Sequence, residues 1–134
     1  MTGPTFVDTN IILDIATKDP DWFDWSFEQL SQTRGALIIN PIIYAEVSAR
    51  YRAKETVDEL LQELEREDIP WDAAFLAGQA HAAYRARGGG RETILADFLI
   101  GAHAAVRGYR LLTRDGRRYR YAFPALTVIA PEGA

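Results

Sequence analysis

Four acidic residues stand where a bare charge is hard to place. Asp8 follows Phe6-Val7 and precedes Ile11-Ile12-Leu13. Glu46 lies in Pro41-Ile42-Ile43-Tyr44-Ala45-Glu46-Val47, the most apolar helix start in the chain. Asp97 has Ile94 at i−3 and Gly101 at i+4, so it shares a face with residues that should pack inward. Asp115 ends the run Leu111-Leu112-Thr113-Arg114-Asp115. Each has an ordinary explanation by itself. Asp8 can cap the helix that follows, and Glu46 can pair with Arg50 one turn on. Asp97 can edge an apolar stripe, and Asp115 with Gly116 can make a turn. Together they point to chemistry. Two unit charges ~4 Å apart repel by about 4 kcal/mol at an effective dielectric near 20, so several carboxylates facing one cleft need a counter-charge. Mg²⁺ takes oxygen ligands from one or two carboxylates plus phosphate, and Mn²⁺ suits the same donors. Such a centre activates water against a phosphodiester. The number of ions stays open.

Other catalytic sets are poorly represented. The chain has no cysteine, which removes disulfides, thiolate nucleophiles and Cys-ligated zinc and fits a reducing cytosol. His81 and His103 sit in alanine-rich helices without metal-ligand spacing and read as structural. Ser26, Ser31 and Ser48 lack a nucleophile-elbow context. Gly88-Gly89-Gly90 follows a helix, so it reads as a helix stop rather than a nucleotide-binding loop. A phosphatase that phosphorylates a strand-end aspartate is the nearest rival enzyme, but Asp8-Thr9-Asn10 lacks the second aspartate two residues on.

Composition sets the frame. The 134 residues suggest one domain, residues 1–134. With 48% hydrophobic and 25% charged residues they read as ordinary globular protein. No apolar stretch approaches the ~20 residues of a membrane helix, and Met1 to Phe6 lacks the pattern of a secretory signal. Net charge is −4, against a polyanionic partner at first sight, but the charge is divided. Residues 1–72 carry 15 acidic and 6 basic groups, whereas residues 73–134 carry 4 acidic and 9 basic, all nine arginine. Six of these lie close together: Arg107, Arg110, Arg114, Arg117, Arg118 and Arg120. Arginine grips phosphate through a bidentate fork, which lysine cannot. The plainer alternative is a solvated face, or pairing with the acidic half.

The elements that must position these residues follow from periodicity. Thr5-Phe6-Val7 predicts a strand ending at Asp8, and a helix follows over 11–17. Asp19-Pro20 reads as an N-cap with proline at the first helical position, opening a second helix to about Thr33. On it Phe23, Phe27 and Leu30 share one face, with Trp22 and Trp25 on another. Residues 36–39 form an apolar run too short for a helix, hence a buried strand. Pro41 opens a third helix to about Ala53. Val57, Leu60, Leu61 and Leu64 mark an amphipathic fourth. Further helices are expected over 72–85 and 92–106, and strands over 109–113 and 126–129. Alternating strands and helices predict an α/β fold with a mostly parallel sheet covered on both faces. In such sheets ligands sit beyond the carboxyl ends of the strands, where Asp8 and Asp115 fall.

Four segments in this order resemble one family. Phe6 through Leu13 resembles the opening of PIN-domain proteins. Pro41 through Val47 resembles their second acidic motif, and Leu95-Ala96-Asp97-Phe98-Leu99-Ile100-Gly101 the third. Leu111 through Asp115, followed by Tyr119 through Phe123-Pro124, resembles the closing motif. The match spans almost the whole chain, and its size and ending resemble the VapC toxins of type II toxin–antitoxin systems. The resemblance implies a PIN-like α/β/α sandwich and a cytoplasmic, Mg²⁺- or Mn²⁺-dependent endoribonuclease. It also implies a homodimer, neutralised by a cognate VapB-type antitoxin. Carried over, Asp8, Glu46, Asp97 and Asp115 form the acidic, metal-binding set, with Asp8 and Asp97 as the most direct ligands. Thr9, Asn10 and Thr113 support them by hydrogen bonds. Arg114, Arg117 and Arg118, which follow the last active-site strand, are expected to hold RNA phosphates. Trp22 and Trp25 either are buried by packing or wall a groove for an antitoxin helix. The competing expectation is a non-catalytic PIN-like module that binds RNA or protein, to which clustered carboxylates facing phosphate would bring nothing.

Overall fold

Phe6, Val7, Ile38, Ile39, Leu111 and Leu112 are all at most 4% exposed. Strands apolar on both faces belong at the centre of a covered parallel sheet, and this is where the computed structural model, which describes residues 3–91 and 93–134, puts them. The strands are β1 (Thr5–Val7), β2 (Leu37–Ile39), β3 (Glu65–Arg66), β4 (Arg110–Leu112) and β5 (Val128–Ile129). They form one sheet in the order β3-β2-β1-β4-β5, and every neighbouring pair is parallel. Chain order reverses direction at β1, with β2 and β3 on one side and β4 and β5 on the other. The carboxyl ends of β1 and β4 therefore flank the switch point, where α/β sheets bind ligands.

The helices are α1 (Thr9–Ala16), α2 (Phe23–Gln32), α3 (Pro41–Ser48), α4 (Lys54–Leu60), α5 (Trp71–Ala86), α6 (Leu95–Arg107) and α7 (Gly116–Ala122). They flank the sheet in the α/β/α arrangement expected. Asn40 opens α3 by accepting from the backbone N–H groups of Ile42 and Ile43 (3.0 and 3.1 Å), with Pro41 at the first helical position. Gly108 closes α6 at φ +71, a conformation open to glycine with little penalty.

Several boundaries differ from expectation. Asp19 does cap, accepting from Asp21 N and Trp22 N at 2.8 and 2.9 Å, but the turn it organises is not yet helical and α2 starts at Phe23. The expected Phe23–Phe27–Leu30 face does not point inward as a unit. Phe27 is 54% exposed and stacks on Phe23, while Trp25 and Leu30 pack on the core. Helix α3 stops at Ser48, five residues early, where the hydroxyl turns back onto the Tyr44 carbonyl at 2.7 Å. Helix α4 ends at Leu60 rather than Leu64. Helix α6 begins at Leu95, and the expected start at Glu92 lies outside the described residues. Two elements were not anticipated. Strand β3 has two residues, both exposed, so neither alternation nor an apolar run marks it. Helix α7 buries only Gly116 and Tyr119 among its arginines and reads as a basic loop.

Candidate active site

Asp8 leaves β1 in extended conformation and is the N-cap of α1. It is both the cap that the ordinary reading expects and the centre of a polar network. Its Oδ1 accepts from Thr9 N at 2.7 Å, and its Oδ2 accepts from Thr113 Oγ1 at 2.7 Å, with Asn10 Nδ2 at 3.5 Å. Thr113 is anchored beyond β4 because Asp8 N donates to Leu112 O at 3.0 Å, placing the two strand ends side by side. The Thr9 hydroxyl donates to Glu46 Oε1 at 2.6 Å, tying α3 to the site. Asn10 Nδ2 reaches Asp115 Oδ2 at 3.3 Å, and Asp115 N donates to Thr113 Oγ1 at 3.0 Å. The supporting residues Thr9, Asn10 and Thr113 thus bridge Asp8, Glu46 and Asp115.

Asp97 joins from α6 by another route. Its Oδ2 accepts from Ile94 N at 3.0 Å, closing the first turn of the helix, and its Oδ1 lies 3.0 Å from Arg118 Nη1. Arg118 Nη2 lies 3.8 Å from Asp115 Oδ2. One guanidinium therefore spans two of the four carboxylates. Burial raises the Asp8 pKa from 3.8 to about 6; hydrogen bonds from Thr113 and Thr9 and the nearby Tyr119 hydroxyl counter this, and the Glu46 charge adds to the rise.

This donor set fits a hard divalent cation. All four groups are oxygen donors, and the most buried of them is held in its charged form at a disadvantage that a cation would relieve. Among the described residues, no three acidic or histidine side chains are drawn close enough to hold a metal by direct ligation alone. Mg²⁺ typically keeps several waters, which suits so loose a set.

The arginines divide their work. Arg114 Nε lies 2.9 Å from Oδ2 of Asp14, which is 2% exposed and also accepts from Ser26 Oγ at 2.7 Å. The same guanidinium covers the Trp22 ring at 5.2 Å, and Trp22 meets Trp25 edge to face. Arg114 and Trp22 therefore pin α1, α2 and the β4–α7 connection together, which the charge pattern did not reveal. Arg114, Arg117 and Arg118 also line a cavity of about 480 Å³ with Asp115, Tyr84 and Tyr121. Both histidines are engaged by packing or hydrogen bonds. His81 packs on Phe98. His103 is buried between Asn40 Nδ2 (3.1 Å) and Glu67 Oε1 (2.8 Å). Asn40 uses its oxygen on α3, so its amide donates to His103 Nδ1 and Nε2–H donates to Glu67.

One residue of the site was missed. Tyr119 is 1% exposed, and its Oη has no hydrogen-bond partner among the described residues. It lies in the field of Asp8 and Asp97, and burial together with those charges raises its pKa well above 10. Its place four residues after Asp115 becomes meaningful only once α7 is known to be a helix.

A doubly covered parallel sheet with acidic residues at its switch point defines an α/β/α domain with a carboxylate site. The PIN domain profile matches residues 5–124, and the chain belongs to that family. No curated protein sequence matches significantly. Solved structures share the fold. VapBC2 from Rickettsia felis, bound to a DNA fragment from its promoter, matches with TM-score 0.72 and 22% identity over 96% of this chain and 99% of that one. VapBC-1 from nontypeable Haemophilus influenzae gives 0.73 and 18% over 95% and 97%. Mycobacterium tuberculosis VapC20, a toxin that cleaves the sarcin–ricin loop, gives 0.68 and 15% over 95% and 99%.

Proposed function

We propose that this protein is a metal-dependent endoribonuclease, the VapC-type toxin of a type II toxin–antitoxin module. The observation that carries the reading is the buried Asp8 at the sheet's switch point, linked through Thr9, Asn10 and Thr113 to Glu46 and Asp115, with Asp97 joined through Arg118. Family membership and the toxins among the structural relatives support it. Asp8 and Asp97 would hold Mg²⁺ or Mn²⁺, with Glu46 and Asp115 beside them. When bound, the cation supplies Lewis acidity toward water and neutralises charge on the phosphate. The chain does the positioning. Thr113 Oγ1 and Thr9 N fix the Asp8 carboxylate, and the Thr9 hydroxyl fixes Glu46, so these acids are set before substrate arrives. Arg117 and Arg118, with whatever reach Arg114 retains beyond Asp14, hold phosphates of the RNA strand across the cavity they line.

In this reading the protein acts in the cytoplasm as a homodimer held inactive by a VapB-type antitoxin. Among the described residues no helix is long and apolar enough to cross a membrane. The antitoxin helix is expected along α2 at Trp22 and Trp25; a photo-crosslinker at Trp25 that captures no co-expressed antitoxin would leave these residues a packing role only.

The test is cleavage of structured and single-stranded RNAs with Mg²⁺, Mn²⁺ or EDTA, beside Asp97→Asn. Metal-dependent cutting that vanishes in the variant is expected; equal cutting by both would mean a contaminating nuclease. In the same assay Arg117→Ala should weaken RNA binding and reduce the salt slope of log K by about 0.7, one phosphate's share for a single strand. An unchanged slope would remove Arg117 from the RNA path.

A further inference from the structure

The Tyr119 ring is locked in place. On one side, a Cβ added to Gly101 of α6 would sit 3.0 Å from Tyr119 Cδ1 and 2.5 Å from the Phe123 ring, so α7 docks where α6 has no side chain. That docking puts a 1% exposed hydroxyl near enough to Asp8 to favour its ionised carboxylate, yet beyond hydrogen-bonding distance of any partner among the described residues. A buried hydroxyl left unpaired costs about 1–3 kcal/mol, and a phenylalanine here would pack the same ring without that loss. The adjoining void, lined by Asp97, Arg118 and Tyr119, is about 10 Å³, at the lower limit for one water. Asp8 has room for another donor. An ionised carboxylate accepts at about four positions, and Asp8 uses two in short bonds, from Thr9 N and Thr113 Oγ1.

We infer that Tyr119 is a positioning residue of the metal centre: its hydroxyl would donate to the Asp8 carboxylate when that carboxylate holds a divalent cation. This rests on the proposed metal site. The hydroxyl completes the set of donors that leaves Asp8 a defined lone pair for the ion. It is the kind of outer contact whose loss lowers metal affinity about 10–100-fold.

The experiment is calorimetric titration of Mn²⁺ into wild type, Tyr119→Phe and Asp97→Asn, with thermal unfolding of each in EDTA. Tyr119→Phe should unfold at the same temperature as wild type or higher, yet bind Mn²⁺ about tenfold more weakly. Equal Mn²⁺ affinity in wild type and Tyr119→Phe would overturn the inference and leave the metal centre standing; the hydroxyl would then serve only packing or a trapped water. No Mn²⁺ binding by wild type would overturn both. A second measurement needs no variant. In wild type carrying ¹³C-labelled tyrosine, the Tyr119 Cζ resonance should shift on Mg²⁺ addition as the hydroxyl gains an acceptor, and an unmoved resonance would count against the inference.

Discussion

Asp8 and Glu67 show how burial and hydrogen bonding move a carboxyl's pKa in opposite directions. The Asp8 pKa of about 6 in the folded protein exceeds the 3.8 of the exposed group. Between those values the folded state binds more protons than the unfolded chain, so stability falls as pH rises from 3.8 to 6 and stays lowered above that. Asp8→Asn removes the charge but keeps the shape. In metal-free buffer at about pH 8 the variant should melt a few degrees above wild type, and the difference should fade towards about pH 4. Added Mg²⁺ should stabilise wild type and leave the variant unchanged. A variant that melts lower at every pH would mean that the Thr9 and Thr113 bonds outweigh the buried charge. Glu67 is the opposite case. Burial works against its ionised form, but hydrogen bonds from His103, Tyr109 and Arg107 outweigh it and lower its pKa from 4.5 to about 2. Its negative charge thus supports the fold at neutral pH, and that support is lost only as pH falls from about 4.5 towards 2.

At the scale of elements, α6 and α7 matter most. Helix α6 carries Asp97 at its first turn and Gly101 one turn on, and it is Gly101 that admits the Tyr119 and Phe123 rings of α7. The added methyl of Gly101→Ala would overlap both rings, and overpacking of this kind costs about 1–3 kcal/mol. The variant should lose that much in urea unfolding and most of the proposed ribonuclease activity, since α7 carries Arg118 and Tyr119 away with it. Gly108→Ala, with nothing near its Cβ but φ at +71, should lose about 1 kcal/mol and keep its activity. Equal loss of activity in both would trace the effect to general stability rather than to α7.

At the scale of the molecule, α5 leaves large apolar side chains open to solvent. Trp71 is 90% and Phe75 71% exposed, one turn apart, and Ile94 and Leu95 at the start of α6 are 53% and 45% exposed. Apolar groups this large and this open commonly mark an interface. If the proposed homodimer forms through them, Trp71→Ala/Phe75→Ala should elute and scatter light as a monomer where wild type is a dimer. A double variant that stays dimeric would place the interface elsewhere.

The sequence by itself determined the sheet's centre, because its strands are apolar on both faces and short, and it singled out four acids, because each stands against an apolar run. The resemblance to PIN-domain proteins also pointed to Thr9, Asn10 and Thr113 as supporting groups. The sequence could not reveal β3, whose two exposed residues leave no periodic trace, or α7, whose arginines hide a single buried tyrosine. Only the tertiary structure decided that Arg114 serves Asp14, that Arg118 spans Asp97 and Asp115, and that Tyr119 lies beside Asp8. Each of these pairs residues on different elements, or across a turn, and such partners are fixed by how helices dock on the sheet, not by local spacing.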